Sequence, residues 1–145
     1  MELSFRQATL DDVESTFAIK KAAFRPYVEL VYGWDEDDQW QRHKAEFSCE
    51  TVRLILRDGK DVGYVLVRRL ADALYLSQIF ILPAHQGQGI GVKCMGLIQE
   101  EARLQGLPLR LQVFKANPRA QAFYTRLGFQ PVSESATHVQ FSSSP

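Results

Sequence analysis

Residues Leu74–Gly91 read LYLSQIFILPAHQGQGIG, and the fold is decided there. The first half, Leu74–Leu82, is rich in β-formers and apolar toward its end, as expected of a central strand, and Pro83 ends it. Gly87, Gly89 and Gly91 then alternate with larger residues. Ile90, Cys94, Leu97, Ile98 and Ala102 recur at helical spacing, with Gly106 placed to close the helix, and Leu109–Phe114 is a further strand. Strand, glycine turn, helix, strand is a crossover that lays two strands side by side in parallel. A glycine costs about 0.5–1 kcal/mol against alanine in regular structure, so a cluster of three needs a reason. One reason is a tight turn with close helix–sheet packing. The other is a backbone that approaches a ligand. A glycine turn feeding a helix N-terminus collects free N–H groups and a partial positive charge, which suits a phosphate, most simply a pyrophosphate.

Two familiar phosphate motifs do not fit. After Gly91 come Val92-Lys93-Cys94, without the Lys-Ser or Lys-Thr of a P-loop. The glycines are spaced G-x-G-x-G, not the G-x-G-x-x-G of a dinucleotide site, and several elements precede them. A length of 145 residues suits one domain, 1–145. Seventeen basic residues balance seventeen acidic ones, so the basic footprint of a nucleic-acid or anionic-membrane binder is missing. No apolar run spans a bilayer, and MELSFRQ lacks the pattern of a signal peptide, so a cytoplasmic protein is expected. Cys49 and Cys94 read as small apolar fillers, and the three histidines are scattered, so no metal is expected.

Outward from the centre, residues 2–8 read as a strand. Thr9 caps a helix carrying Leu10, Val13, Phe17 and Phe24, which Pro26 is expected to stop. A second helix covers Glu36–Phe47. Thr51–Arg57 and Val62–Leu70 form a hairpin about Asp58-Gly59. Asn117-Pro118 opens a last helix as N-cap and first residue, with Phe123 and Leu127 inward and Gly128 closing it. Strands Phe129–Ser135 and Thr137–Ser142 follow, and 142–145 read as a frayed tail. The order β-α-α-β-β-β-α-β-α-β-β predicts an α/β (α+β) fold: one mixed central sheet of about seven strands with about four helices.

These residues resemble a known family. Gln86-Gly87-Gln88-Gly89-Ile90-Gly91 matches the Q/R-x-x-G-x-G/A signature of the GCN5-related N-acetyltransferases (GNAT). Asn117 through Tyr124 to Gly128-Phe129 resembles the family's later N…Y-x-x-x-G-F helix. The resemblance covers nearly the whole chain. It implies that acetyl-CoA is the co-substrate. The backbone of Gln86, Gly87, Gln88, Gly89, Ile90, Gly91 and Val92 would hold its pyrophosphate, with the two glutamine side chains solvating phosphate oxygens. The backbone of Ile79, Phe80 and Ile81 would pair with the pantetheine arm. Asn117 would contact the cofactor, and Tyr124 would protonate the leaving thiolate after an amine attacks the thioester.

The chain departs from many relatives at the general base. Tyr75 and Gln112 stand where some members carry glutamates, leaving His138, Glu29, Asp35 and Glu36 as candidates, while His43 and His85 read as surface residues. The segment Tyr27–Trp40 is where such a family recognises its acceptor. Its acids and aromatics, with Tyr27, Trp34, Asp35 and Glu36 foremost, suit a cationic amine. Asp35 can equally be a helix N-cap and Asp38 a first-turn anion that need no ligand. The expectation is an N-acetyltransferase acting on a small amine or amino-acid-like acceptor, as a monomer or homodimer. A catalytically silent acyl-CoA-binding module and a protein or peptide N-acetyltransferase are the alternatives.

Overall fold

A computed structural model of the chain describes residues 2–145. The elements come in the expected order: β1 (Leu3–Gln7), α1 (Val13–Val31), α2 (Glu36–Glu46), β2 (Val52–Arg57), β3 (Lys60–Arg69), β4 (Leu74–Ile81), α3 (Ile90–Leu104), β5 (Leu109–Phe114), α4 (Pro118–Arg126), β6 (Gln130–Glu134) and β7 (His138–Ser143). The strands form a seven-stranded sheet in the order β1-β2-β3-β4-β5-β7-β6. The chain comprises two compact units, Met1–Leu66 with Gln78–Gly91 and Val67–Ser77 with Val92–Pro145. No helix among the described residues is long and apolar enough to cross a membrane.

In the first unit β1 pairs antiparallel with β2, and β2 with β3. The hairpin turn Asp58-Gly59 has φ of 49° and 84°, the paired positive values that a two-residue turn needs to match strand twist. Leu54, Ile55, Tyr64 and Val65 are fully buried, and α1 covers this core with Thr16, Ile19, Lys20 and Val28. Pro26 does not stop α1. The helix runs to Val31, and the N–H of Tyr32 still bonds the carbonyl of Val28 at 2.8 Å. A proline inside a helix costs about 3 kcal/mol. Beyond it Val28 is 2% exposed, and burying such a side chain returns about 1.5–3 kcal/mol, so packing overrides the local signal.

Gly63 lies in the middle of β3, in the continuously buried run Val62–Val67. A Cβ there would overlap the carbonyl oxygen of Phe80 and stand 3.1 Å from the Cα of Ile81. The missing side chain lets the end of β4 lie tight against β3.

In the second unit β5 runs parallel to β4 over Leu74–Leu76 and antiparallel to β7, which pairs with the exposed edge strand β6. Cys94, Met95, Ile98 and Ala102 bury one face of α3. Asn117 caps α4, its Oδ1 accepting from the N–H of Ala120 at 3.1 Å, with Pro118 in the first turn as expected. The expected frayed tail is corrected in part. Ser142 and Ser143 belong to β7 and pair with Arg110 and Leu109, because ladder bonds are made by backbone whatever the side chain.

Candidate functional site

The glycine turn lies in the first unit. Gly87 and Gly89 have φ of +74° and +82°, the left-handed region that favours glycine. A Cβ at either position would meet no protein atom within 4 Å. The protein therefore demands glycine here for backbone conformation, and the space beside the turn is open to a ligand. Beyond it starts α3, fifteen residues long, whose first N–H groups have no partner within the helix. Ile90 is 1% exposed and offers only backbone, whereas Val92 is exposed. Open glycine faces and free amides at the start of a long helix fit a diphosphate.

The glutamines do not extend toward that space as expected. Gln86 Nε2 donates to the carbonyl of Ile81 at 2.9 Å, and Gln88 Nε2 to the carbonyl of Ala84 at 3.3 Å. Gln88 Oε1 in turn accepts from the Arg57 guanidinium. Both side chains brace the turn, and the second brings a full positive charge to it. Sequence reading missed Arg57, because its position beside the turn depends on the β2–β3 hairpin. His85 is half-buried, and its Nδ1 lacks a hydrogen-bond partner among the described residues.

The register of β4 with β5 covers Leu74–Leu76 only, so no β5 pairing is recorded for Ile79–Ile81. Apart from the carbonyl of Ile81, which already accepts from Gln86, such an unpaired edge offers backbone N–H and C=O groups to an extended ligand. The ring of Phe80 packs at 4.9 Å from Phe24 and 5.5 Å from Tyr64, and its carbonyl oxygen faces Gly63 of β3, so the backbone offered on the other edge belongs to Ile79 and Ile81.

The predicted acceptor residues are spread over the first unit. Tyr27 is half-buried on α1, not on a loop after it. Trp34 stacks on Phe17 and lies under the Arg25 guanidinium, 5.8 Å from its ring centre. Asp35 caps α2 by accepting from the N–H of Asp38 at 3.0 Å. Glu36 bonds Lys21 at 2.7 Å and Trp34 Nε1 at 2.8 Å, and the lysine foremost holds its carboxyl below the usual range. Both acids thus have structural partners.

His43 is not a surface residue. It is 3% exposed and ringed by Phe17, Trp40, Phe47 and Tyr64. The Thr16 hydroxyl donates to the carbonyl of Asp12 at 2.7 Å, which assigns the proton to His43 Nε2, bonded to Thr16 Oγ1 at 2.9 Å and the carbonyl of Val13 at 3.1 Å. Burial first, and the charge of Lys20 second, push its pKa down to about 4.

Beside it lies a polar group that sequence reading did not single out. The Tyr64 hydroxyl donates to Gln78 Oε1 at 2.7 Å, and Gln78 Nε2 donates to Glu46 Oε2 at 2.8 Å. Lys20, 4% exposed, sits in the same region. Burial lowers its pKa, partly opposed by the charge of Glu46. A signal was present: Lys20 falls on the helical spacing of the half-buried Val13, Phe17 and Phe24.

In the second unit Tyr124 is 7% exposed among Phe123, Phe129 and Phe141, and burial raises its pKa, so the phenol stays protonated at neutral pH. No protein bond to its hydroxyl is recorded among the described residues. Tyr75 lies under Arg68 at 5.3 Å, and Gln112 Oε1 accepts from Gln140 at 2.6 Å. His138 packs 4.3 Å from the Phe114 ring, with Nδ1 bonded to Thr137 at 2.8 Å. Among the described residues no group of His, Cys, Asp or Glu could hold a metal ion.

A seven-stranded sheet with a glycine turn opening onto a long helix is the arrangement that the GNAT resemblance implies. The model of the acetyltransferase (GNAT) family matches residues 13–129, and the chain belongs to that family. It is 36% identical over 106 residues to the thialysine N-ε-acetyltransferase of Mus musculus, covering 66% of this chain and 62% of that one. It is 35% identical over 91 residues to an uncharacterised N-acetyltransferase of Mycobacterium bovis, covering 59% and 58%. The chain thus spans about three fifths of the length of these relatives. Its fold matches the PaiA N-acetyltransferase of Thermoplasma acidophilum, solved in complex with coenzyme A, with a TM-score of 0.81 at 14% identity over the full length of both chains. It also matches an acetyltransferase of Thermus thermophilus, with a TM-score of 0.78 at 22% identity over 100% and 98% of the chains.

Proposed function

We propose that residues 1–145 act as one N-acetyltransferase domain, moving an acetyl group from acetyl-CoA to the amine of a small molecule or amino-acid-like acceptor in the cytoplasm. The observation that carries this reading is the turn Gln86–Gly91, with two left-handed glycines opening onto the start of α3. The co-substrate supplies an acetyl group already activated as a thioester. The N–H groups of residues 87–92 hold the diphosphate, and Arg57, fixed by Gln88, adds charge. The backbone of Ile79 and Ile81 aligns the pantetheine arm as a strand would. An N–H there would be the hydrogen-bond donor available to the thioester carbonyl. Asn117 spends its Oδ1 on the helix cap, which leaves its amide NH2 for the ligand. Tyr124 keeps its proton at neutral pH and would be the donor for the thiolate that the transfer releases. The amino-acid substrate in the name of the mouse relative supports a small acceptor.

The test is release of free thiol from acetyl-CoA across a panel of amines and amino acids, beside a binding titration. Tyr124→Phe should keep acetyl-CoA affinity within a few-fold and lower kcat roughly 10- to 1,000-fold, the range spanned by a fair leaving group and full general-acid catalysis. Unchanged turnover removes Tyr124 from the mechanism. Tight binding with no turnover of any amine makes the protein a silent acyl-CoA module.

A further inference from the structure

Lys20 is 4% exposed, and neither a hydrogen bond nor an ion pair to its ammonium is recorded among the described residues. Its ammonium is not among the fully buried polar atoms that lack a partner, so most of the side chain is covered while the charged tip keeps a contact with solvent, through which an anion can reach it. Its surroundings come from three elements. On α1, Thr16 and Phe24 stand one turn before and one turn after it. Thr16 is tied to His43, and Phe24 touches Phe80. On α2, Glu46 attracts the ammonium, Arg42 repels it, and His43 is neutral at pH 7. On β4, Gln78 bonds Glu46 and is followed directly by Ile79, the residue whose backbone is assigned to the pantetheine arm. An unpaired cation, an acid and an amide donor–acceptor therefore gather beside the strand that would present the thioester.

We propose that Lys20, with Glu46 and Gln78 beside it, forms the acceptor-recognition site, and that the acceptor carries a carboxylate close to its reactive amine. This rests on the acetyl-transfer reading and narrows its substrate class. The ammonium of Lys20 pairs with the carboxylate of the acceptor, which supplies the anion that the fold itself withholds. Glu46 faces the incoming amine while it is still protonated, and Tyr64 holds Gln78 in place from the core. An amine without a carboxylate leaves Lys20 unpaired and binds more weakly. Asp35 and Glu36 already have structural partners, so this group takes the role that the sequence assigned to them.

The experiment compares each of the common amino acids with its α-amide as acceptor, under saturating acetyl-CoA, for wild type, Lys20→Met and Lys20→Arg. Calorimetric binding of the same pairs in the presence of CoA gives a readout that needs no turnover. The wild type should prefer the acid form by about 10- to 100-fold in KM and in binding, as expected of a charge-assisted pair. Lys20→Met should bring that ratio to about one, and Lys20→Arg should keep part of it. Lys20→Met removes a desolvated charge from a site of similar volume, so it should unfold at a higher temperature than wild type, which separates a recognition role from a structural one. Equal handling of acid and amide by wild type overturns the proposal, as does a preference that survives Lys20→Met. A shifted pH–rate profile with equal loss of kcat on both forms also overturns it, in favour of Lys20 as proton acceptor. Acid-selective binding without any turnover upholds the site and refutes the transfer reading alone.

Discussion

Replacing Gly63 with alanine should damage both the fold and cofactor binding. Glycine to alanine in a strand interior normally gains about 0.5–1 kcal/mol, because the unfolded chain loses freedom. Here the new Cβ overlaps the carbonyl oxygen of Phe80 and lies 3.1 Å from both Ile81 Cα and Ile55 Cδ1. The overlapping partner is backbone and cannot rotate away, so β3 and the end of β4 must separate. Overpacking of that kind costs about 1–3 kcal/mol and outweighs the entropic gain. For a chain of this length each kcal/mol lowers Tm by about 3–4 °C, so with the entropic gain set against the overpacking Tm should fall by up to about 10 °C. The separation moves the backbone of Ile79–Ile81, so acetyl-CoA should protect the variant less than wild type. Thermal unfolding by circular dichroism, with and without acetyl-CoA, measures both effects. Gly96→Ala is the control: it sits in α3 with nothing within 4 Å of the added Cβ, and it should raise stability by about 0.5–1 kcal/mol. If Gly63→Ala matches wild type in Tm and in cofactor protection, the reasoning from close approach is refuted.

Two further outcomes follow from the site. The folded protein holds His43 neutral, with a pKa of about 4 against an ordinary 6.5. The unfolded chain therefore takes up this proton first, and stability should decline as pH falls from about 6.5 to about 4, by on the order of 2–3 kcal/mol. Urea denaturation across that window should show the decline in wild type and a flatter profile in His43→Gln; equal slopes would clear His43 of the effect. Arg57→Gln should weaken acetyl-CoA binding about 3- to 10-fold and reduce its salt dependence, since a charge is lost from the turn while the fold keeps its other contacts. Titration at two ionic strengths checks this, and unchanged affinity at both would remove Arg57 from the site.

Much of this protein was legible along the chain. Leu74–Gly91 announces strand, turn and helix, because period, proline and glycine all act within a few residues of where they stand. The element order follows for the same reason, and so do the cap at Asn117 and the hairpin at Asp58-Gly59. Non-local contacts decided the rest. Pro26 sits inside α1 because burial of Val28 outweighs one lost bond. Gly63 looked like an ordinary strand residue until Phe80 came against it. Gln86 and Gln88 brace the turn because the carbonyl of Ile81 and the guanidinium of Arg57 lie within reach. His43 reads as polar in the sequence and is buried because α1 supplies Thr16 and Phe17 to receive it. Lys20, Glu46, Gln78 and Tyr64 lie on four different elements, and nothing local links them. Their meeting depends on how α1 and α2 pack over β3 and β4, since short-range preferences choose the elements and long-range packing chooses which side chains they bring together.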